Sequence, residues 1–202
     1  MSYDLWVFPA ATLDVDETVR AETPSSPATV ALAATLTAAA RAADLPLSIE
    51  PLEPQGETIV VPTPFSAAQQ ARNVIIPAAF AAGYAVHDPQ LGLDLDPRTA
   101  VAGTLSTDDR GDFPVITPGL IDQLMAVMAV DDFLIVGVAD QTYMQSARRA
   151  EDEYQLEYRA GSAQEHYGTE VATAAQVAAA MRGWLAGDEA SYRGYDWEKV
   201  TF

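Results

Sequence analysis

Apolar and polar residues alternate with a period of two in several short stretches of the first hundred residues, and two longer stretches have helical spacing. Alternation with a period of two is typical of strands, whereas apolar residues at every third or fourth position predict a helix. The predicted elements are strand 3–8, helix 27–43, strands 47–52 and 58–61, helix 67–82 with Ser66 as its N-cap and Gly83 after its end, and strand 84–87.

The order of these elements predicts the fold class of the first unit. A strand, helix, strand, strand, helix, strand sequence is the split βαβ arrangement, in which two helices cover one face of a four-stranded antiparallel sheet. We therefore predict an α+β protein whose residues 1–97 form a ferredoxin-like (βαββαβ) unit. Residues 98–113 contain Gly103, Gly111 and several aspartates without a clear period, which predicts a linker or long loop.

Residues 114–202 predict a second α+β unit, made of a helix, an antiparallel β-meander and a further helix. Thr117 and Pro118 begin the first helix, and Thr173 begins the second, which Gly187 ends. Between them lie four stretches with strand character, and residues 197–202 predict a final edge strand. The four stretches are 133–138, 143–147, 154–159 and 166–171.

The composition narrows the range of partners. The chain has 202 residues and a formal net charge of −18, and residues 1–97 and 98–202 both contribute to this excess of acids. Such a surface repels nucleic acid and anionic lipid and attracts basic proteins. A solvated acidic surface without a specific partner explains the same charge. No apolar run is long enough for a membrane helix, so we expect a cytoplasmic protein. Together with the negative charge, this predicts that neither nucleic acid nor a membrane is a partner.

Few residues offer catalytic or metal-binding chemistry. The chain has no cysteine and only two histidines, His87 and His166, which excludes thiolate sites and makes a zinc site improbable. Neither phosphate-binding glycine loops nor a nucleophile elbow occur in it. We therefore predict no metal, no cofactor and no catalytic residues, and a non-enzymatic function is favoured.

His87 and Asp88 are the best candidates for a polar site in the first unit. A carboxylate beside an imidazole forms a general base with its orienting acid, but adjacent strand residues point to opposite faces. A histidine packed at a strand end is therefore favoured over a catalytic pair. With Trp6, the two residues define a hypothetical small-molecule pocket between the units.

Two stretches resemble known groups of proteins. The C-terminal run YQLEYRAGSAQEHYGTEV, the helix TAAQVAAAMRGWLAGD and the closing YDWEKV resemble the end of Imm1-like immunity proteins, although the residue before Trp197 departs from the usual pattern. The stretches YDLWVFP and IVVPTPFSAAQQARNVIIPAAFAAGYAVHDPQLG resemble a group of uncharacterised actinobacterial proteins, with His87 in place of the usual tyrosine.

The resemblance to Imm1-like proteins implies a stoichiometric inhibitor that occludes a toxin. Acidic residues of the second sheet, Glu153, Glu157 and Glu165, would then bind a basic, toxin-like protein, with aromatic residues as anchors. Two alternatives stay open. One is a small-molecule-binding or regulatory protein, and the second is an enzyme of unrecognised class that uses His87 and Asp88. A homodimer formed through an exposed sheet edge is compatible with each of these functions.

Overall fold

A computed structural model describes residues 2–201 of the chain and divides it into two compact units, with the division between Ala100 and Val101. Within the described residues there are two antiparallel sheets and five α-helices. The predicted α+β class is therefore confirmed.

Five antiparallel strands form the sheet of the first unit, in the spatial order β2-β3-β1-β4-β5. Strand β1 lies at the centre of this sheet and pairs with β3, whose residues 58–61 are all β-branched; Leu5 pairs with Val61 there, and both are fully buried. The strands are β1 (Ser2–Pro9), β2 (Pro54–Gln55), β3 (Thr58–Pro64), β4 (Tyr84–Asp88) and β5 (Leu93–Leu95).

The three helices of this unit are α1 (Glu17–Glu22), α2 (Pro27–Ala42) and α3 (Ala68–Ala81). Helix α2 begins as predicted, because the hydroxyl of Ser26 accepts a hydrogen bond from the Thr29 amide at 3.2 Å. Helices α2 and α3 contact each other, and α3 also contacts β1, β3 and β4. Gly83 follows the end of α3 with a φ of 77°, as predicted for the residue after a helix.

Two local predictions in the first unit are wrong. Residues 47–52 form no strand. Pro51 lacks an amide proton, the Leu52 amide donates to the Thr37 hydroxyl at 3.0 Å, and the segment contacts β3 through the Ser48 amide, which donates to the Pro62 carbonyl at 2.8 Å. Ser66 is not the N-cap of α3, because a 3₁₀ turn over Phe65–Ala67 precedes the helix. Ala67 therefore occupies the N-cap position and has no side-chain hydrogen bond there.

The second unit is a seven-stranded antiparallel sheet with two helices, α4 (Pro118–Val127) and α5 (Ala174–Ala186). Strands β8 to β11 pair in chain order, and β12 lies beside β11 at one edge. The strands are β6 (Thr104–Thr107), β7 (Asp112–Phe113), β8 (Phe133–Ala139), β9 (Thr142–Ala150), β10 (Glu153–Ala160), β11 (His166–Val171) and β12 (Glu198–Lys199).

Alternation along these strands separates a core face from a polar face. Met144 pairs with both Val136 and Tyr158, so it shares their face, and Met144 and Val136 are fully buried. Helix α5 contacts β9 and β10, and the buried Val177 and Met181 lie on it. Burying each such side chain stabilises the fold by about 1.5–3 kcal/mol. The opposite face, here called the outer face, carries Tyr143, Gln145, Gln155, Glu157, Arg159, His166 and Glu170.

The segment predicted as a linker or long loop, residues 98–113, contains strands β6 and β7. Leu105 pairs with both Phe113 and Val136, which joins these short strands to the second sheet. The turn between them includes Gly111, whose φ of 74° suits a hairpin. Strands of four and two residues are too short to show a period, so the sequence indicated only a loop.

Gly183 sets how closely α5 approaches the chain that follows it. A Cβ at this position would lie 2.2 Å from the Cβ of Ser191 and 3.3 Å from the Asp188 carbonyl oxygen. Only glycine therefore permits the 3₁₀ turn over Glu189–Ser191 to pack against α5.

We expect Gly183→Ala to lower the free energy of unfolding by about 1–3 kcal/mol, because the methyl group displaces the Ser191 backbone. Gly119→Ala is the matched control, because its Cβ would meet only the Gln123 amide nitrogen at 3.8 Å. Urea denaturation measures both variants. A Gly183→Ala protein as stable as Gly119→Ala would contradict the packing argument.

Candidate functional site

Glu157 lies at the centre of a hydrogen-bonded network on the outer face of the second sheet. Its Oε2 accepts hydrogen bonds from the side-chain amide of Gln145 at 2.7 Å and from His166 Nε2 at 3.0 Å. Its Oε1 accepts one from the side-chain amide of Gln155 at 2.6 Å. The register causes this arrangement, because Glu157 faces Gln145 on β9 and lies beside the Arg159–His166 pair. Both carboxylate oxygens of Glu157 are therefore engaged within the sheet.

His166 is buried between Glu157 and Arg159. The Arg159 guanidinium donates to Nδ1 at 3.1 Å, and since arginine only donates, this places the ring proton of His166 on Nε2, which donates to Glu157. The Tyr143 ring packs edge-on against the imidazole and also lies under the Arg159 guanidinium. This set of contacts fixes the imidazole as a structural link between strands.

A groove of about 1080 Å³ lies beside this network, at the edge of β11. Its rim carries four exposed carboxylates and two cationic side chains, which leaves two negative charges in excess. The carboxylates are Glu153, Glu170, Asp196 and Glu198, and the cations are Arg149 and Lys199.

None of these four carboxylates has a hydrogen bond or ion pair with another residue in the described part of the chain. Glu157 differs from them, because its charge is held by three donors. Arg149 donates to the Gln155 side chain at 2.6 Å rather than to an acid. The groove therefore offers uncompensated negative charge to a ligand, which favours a cationic one.

Of the three predicted binding acids, the structure brings Glu153 and Glu157 to the same face and leaves Glu165 apart. Glu165 accepts a hydrogen bond from the Tyr167 hydroxyl at 2.9 Å, and this bond raises the pKa of Tyr167 above its usual range. Tyr167 stacks on Tyr158 with ring centroids 5.2 Å apart, and the Trp197 ring packs edge-on against Tyr158 at 4.7 Å. Glu165 thus belongs to an aromatic cluster at the side of the sheet.

The structure places His87 and Asp88 on opposite faces of the first sheet. His87 Nδ1 lies 2.8 Å from a carboxylate oxygen of Asp94, and its ring centroid is 5.5 Å from that of Trp6. Trp6 and His87 are direct cross-strand neighbours on β1 and β4. His87 therefore has Asp94, and not Asp88, as its acidic neighbour.

Asp88 is buried under α3 with two ionisable partners. Its carboxylate accepts a short hydrogen bond from the Tyr3 hydroxyl and lies 3.3 Å from the Arg72 guanidinium, which also donates to the Tyr3 oxygen at 2.8 Å. Burial and the hydrogen bond to Asp88 raise the pKa of Tyr3 above its usual range. This triad links β1, α3 and β4 and offers no open position for a substrate.

Sequence reasoning missed Glu170, Asp196 and Glu198 as groove residues. Glu170 was visible as a polar residue in a strand, but nothing in the sequence indicated that it would lie next to residues 196–198. That proximity follows from the pairing of β12 with β11, at Tyr167–Lys199 and Gly168–Glu198.

We expect Tyr3→Phe to lower the free energy of unfolding at neutral pH by about 1–3 kcal/mol, because the Asp88 carboxylate loses a buried donor. Because the pKa of Tyr3 is raised in the folded state, the contribution of this side chain to the free energy of unfolding is fully present below about pH 10. It is lost progressively as the pH rises above that value. The Phe variant should therefore lose less stability between about pH 10 and pH 12.

Urea denaturation of the wild type, Tyr3→Phe and Tyr195→Phe at several pH values checks this expectation. Tyr195 is the control, because its hydroxyl makes only a long hydrogen bond of 3.4 Å to the Gln176 carbonyl. If the free energies of unfolding of the wild type and Tyr3→Phe fell equally with rising pH, ionisation of Tyr3 would not be the cause of the alkaline loss of stability.

Neither a metal nor a family relationship identifies this site. Within residues 2–201 no group of three or more histidine and acidic side chains is arranged to hold a metal ion, and no helix there has the length and apolar character needed to cross a membrane. Comparison of the chain with protein families, with curated proteins and with solved structures finds no match. The resemblance to Imm1-like immunity proteins therefore stays a prediction.

Proposed function

We propose that this chain is a non-enzymatic binding protein of immunity-protein type, which uses the acidic groove of its second unit to occlude a basic protein. The observation that carries the proposal is the set of four exposed carboxylates around one groove, which have no hydrogen-bond or ion-pair partners in the described part of the chain. An excess of negative over positive charge around a concave surface speeds the encounter with a basic partner and selects against acidic ones.

The aromatic cluster beside the groove supports the same proposal. Tyr195 packs edge-on against Trp197 of this cluster, with ring centroids 6.2 Å apart. Both rings are half-buried, and Tyr195 lines the groove together with Asp196. Aromatic side chains that are already packed lose little conformational freedom on binding, so they act as anchors within an otherwise electrostatic interface. The groove thus combines acids that accelerate association with rings that slow dissociation.

We also propose a ferredoxin-like plan for the first unit. The order β2-β3-β1-β4 and the antiparallel pairing of each neighbouring pair support it, as do the two long helices, α2 and α3. Strand β5 adds a fifth member at the edge of β4. This unit contains the predicted residues Trp6, His87 and Asp88, for which a small-molecule function remains a prediction.

A capture experiment tests the proposed function. The immobilised protein is exposed to lysate of its own source at about 0.1 M and about 1 M salt, where the Debye length falls from about 10 Å to about 3 Å. The groove variant carries Glu153→Gln, Glu170→Gln, Asp196→Asn and Glu198→Gln. The control variant carries Asp14→Asn, Glu17→Gln, Glu22→Gln and Glu53→Gln, so both have the same net charge.

We expect one basic protein to bind the wild type and the control variant at low salt, and about ten-fold less of it to bind the groove variant. High salt should reduce all of this binding, because exposed charges are then screened. Equal capture by the groove and control variants would contradict the proposal, as would the capture of no basic protein.

A further inference from the structure

Strand β11 is longer than the strand that covers its outer edge. It pairs with β10 over its whole length, from Arg159–His166 to Tyr154–Val171. Strand β12 pairs with it only at Tyr167 and Gly168, and the Val200 amide adds one bond to the His166 carbonyl at 2.9 Å. Within the described chain, residues 169–171 of β11 therefore have a neighbouring strand on one side only.

The direction in which the main-chain N–H and C=O groups point decides which of them are available for hydrogen bonds at this open edge. Successive residues of a strand turn their N–H and C=O groups to opposite sides. Because His166 turns its carbonyl toward Val200, Gly168 and Glu170 also turn their groups toward the outer edge. Strand β12 and Val200 cover His166 and Gly168 on this edge, so the N–H and C=O of Glu170 face the groove.

The groove stays open because Trp197 holds the chain away from β11. The Trp197 amide donates to the Tyr195 carbonyl at 3.0 Å, and its indole N–H donates to the Tyr192 carbonyl at 2.8 Å. Its ring also packs against Tyr158. Residues 195–197 therefore cannot continue β12 along β11, and the space between them is part of the groove of about 1080 Å³.

We propose that an extended basic segment of the partner protein binds in this groove as a short antiparallel strand added to β11 at Glu170. Main-chain bonds to Glu170 would supply affinity, as in other cases where a peptide extends a sheet. The partner residue opposite Glu170 would place its side chain on the outer face, where a lysine or arginine meets the carboxylates of Glu170 and Glu153. Its neighbours would point to the other face, which predicts alternating basic and apolar residues.

This inference rests on the proposed function and adds the form of the ligand. Proline at position 170 tests it, because Glu170→Pro removes the amide that faces the groove. The same amide is not used in pairing with β10, so an edge proline is tolerated. The matched control is Glu170→Gln, which removes the charge and keeps the amide.

The probe is a capped synthetic peptide of about six residues that alternates lysine and valine, together with a version methylated on alternate main-chain nitrogens. Isothermal titration calorimetry at low salt measures both. We expect Glu170→Pro to bind the parent peptide about ten-fold more weakly than Glu170→Gln does, and the methylated peptide to bind the wild type at least about ten-fold more weakly than the parent.

Three results would overturn the added strand: no binding of the parent peptide to the wild type, equal affinity for Glu170→Pro and Glu170→Gln, or equal affinity for the parent and methylated peptides. The peptide comparison decides the matter even where circular dichroism shows that Glu170→Pro is unfolded. In the capture experiment, loss of the partner by the groove variant but not by Glu170→Pro overturns the added strand and leaves the proposed function standing. Retention of the partner by both variants overturns both the added strand and the proposed function.

Discussion

The hydrogen bonds to Glu157 are the interaction on which the outer face of the second sheet depends. A carboxylate with only 12% of its side chain exposed loses most of its hydration, and this loss must be offset by donors. Gln145 on β9, Gln155 on β10 and His166 on β11 supply them. Because Gln145 and His166 lie on the two strands that flank β10, a slip of one residue in either register would turn one of these donors to the other face and leave Glu157 with a lost hydrogen bond. The network therefore holds β11, and with it the edge beside the groove, in one position.

The first unit also buries a carboxylate, and a different set of groups offsets its lost hydration. Asp88 is almost fully buried, and its charge is balanced by Arg72 and by the hydroxyl of Tyr3. Such a buried pair adds little net stability, but removing one member leaves an uncompensated charge. The two units thus share a physical distinction: acids whose charge is satisfied inside the protein hold strands and helices together. Acids without partners, such as Glu170 and Glu198, remain available to a ligand.

The sequence predicted those parts of the fold that depend on local pattern. Strand β8 follows from an apolar run and strands β9 to β11 from alternation, and the caps Thr117 and Thr173 each accept a hydrogen bond from the amide three residues later. Features that depend on distant contacts were not accessible. Asp94 lies beside His87 because β5 pairs with β4, and the path of residues 195–197 along the groove depends on the contacts of Trp197 with Tyr158 and Tyr192. A one-dimensional pattern carries no signal for either contact.

The charge on the open edge of β11 also bears on what can pair with it. Unpaired strand edges attract other strands without discrimination, and charged side chains are one way in which proteins limit this. A second copy of the chain that added itself antiparallel about Glu170 would bring two Glu170 carboxylates onto the same face, where like charges directly opposite each other repel. A basic segment would face the same carboxylates with opposite charge and would also satisfy the main-chain groups of Glu170. At this edge of β11 the acids of the groove would therefore repel a second copy of the chain and attract the basic segment proposed above.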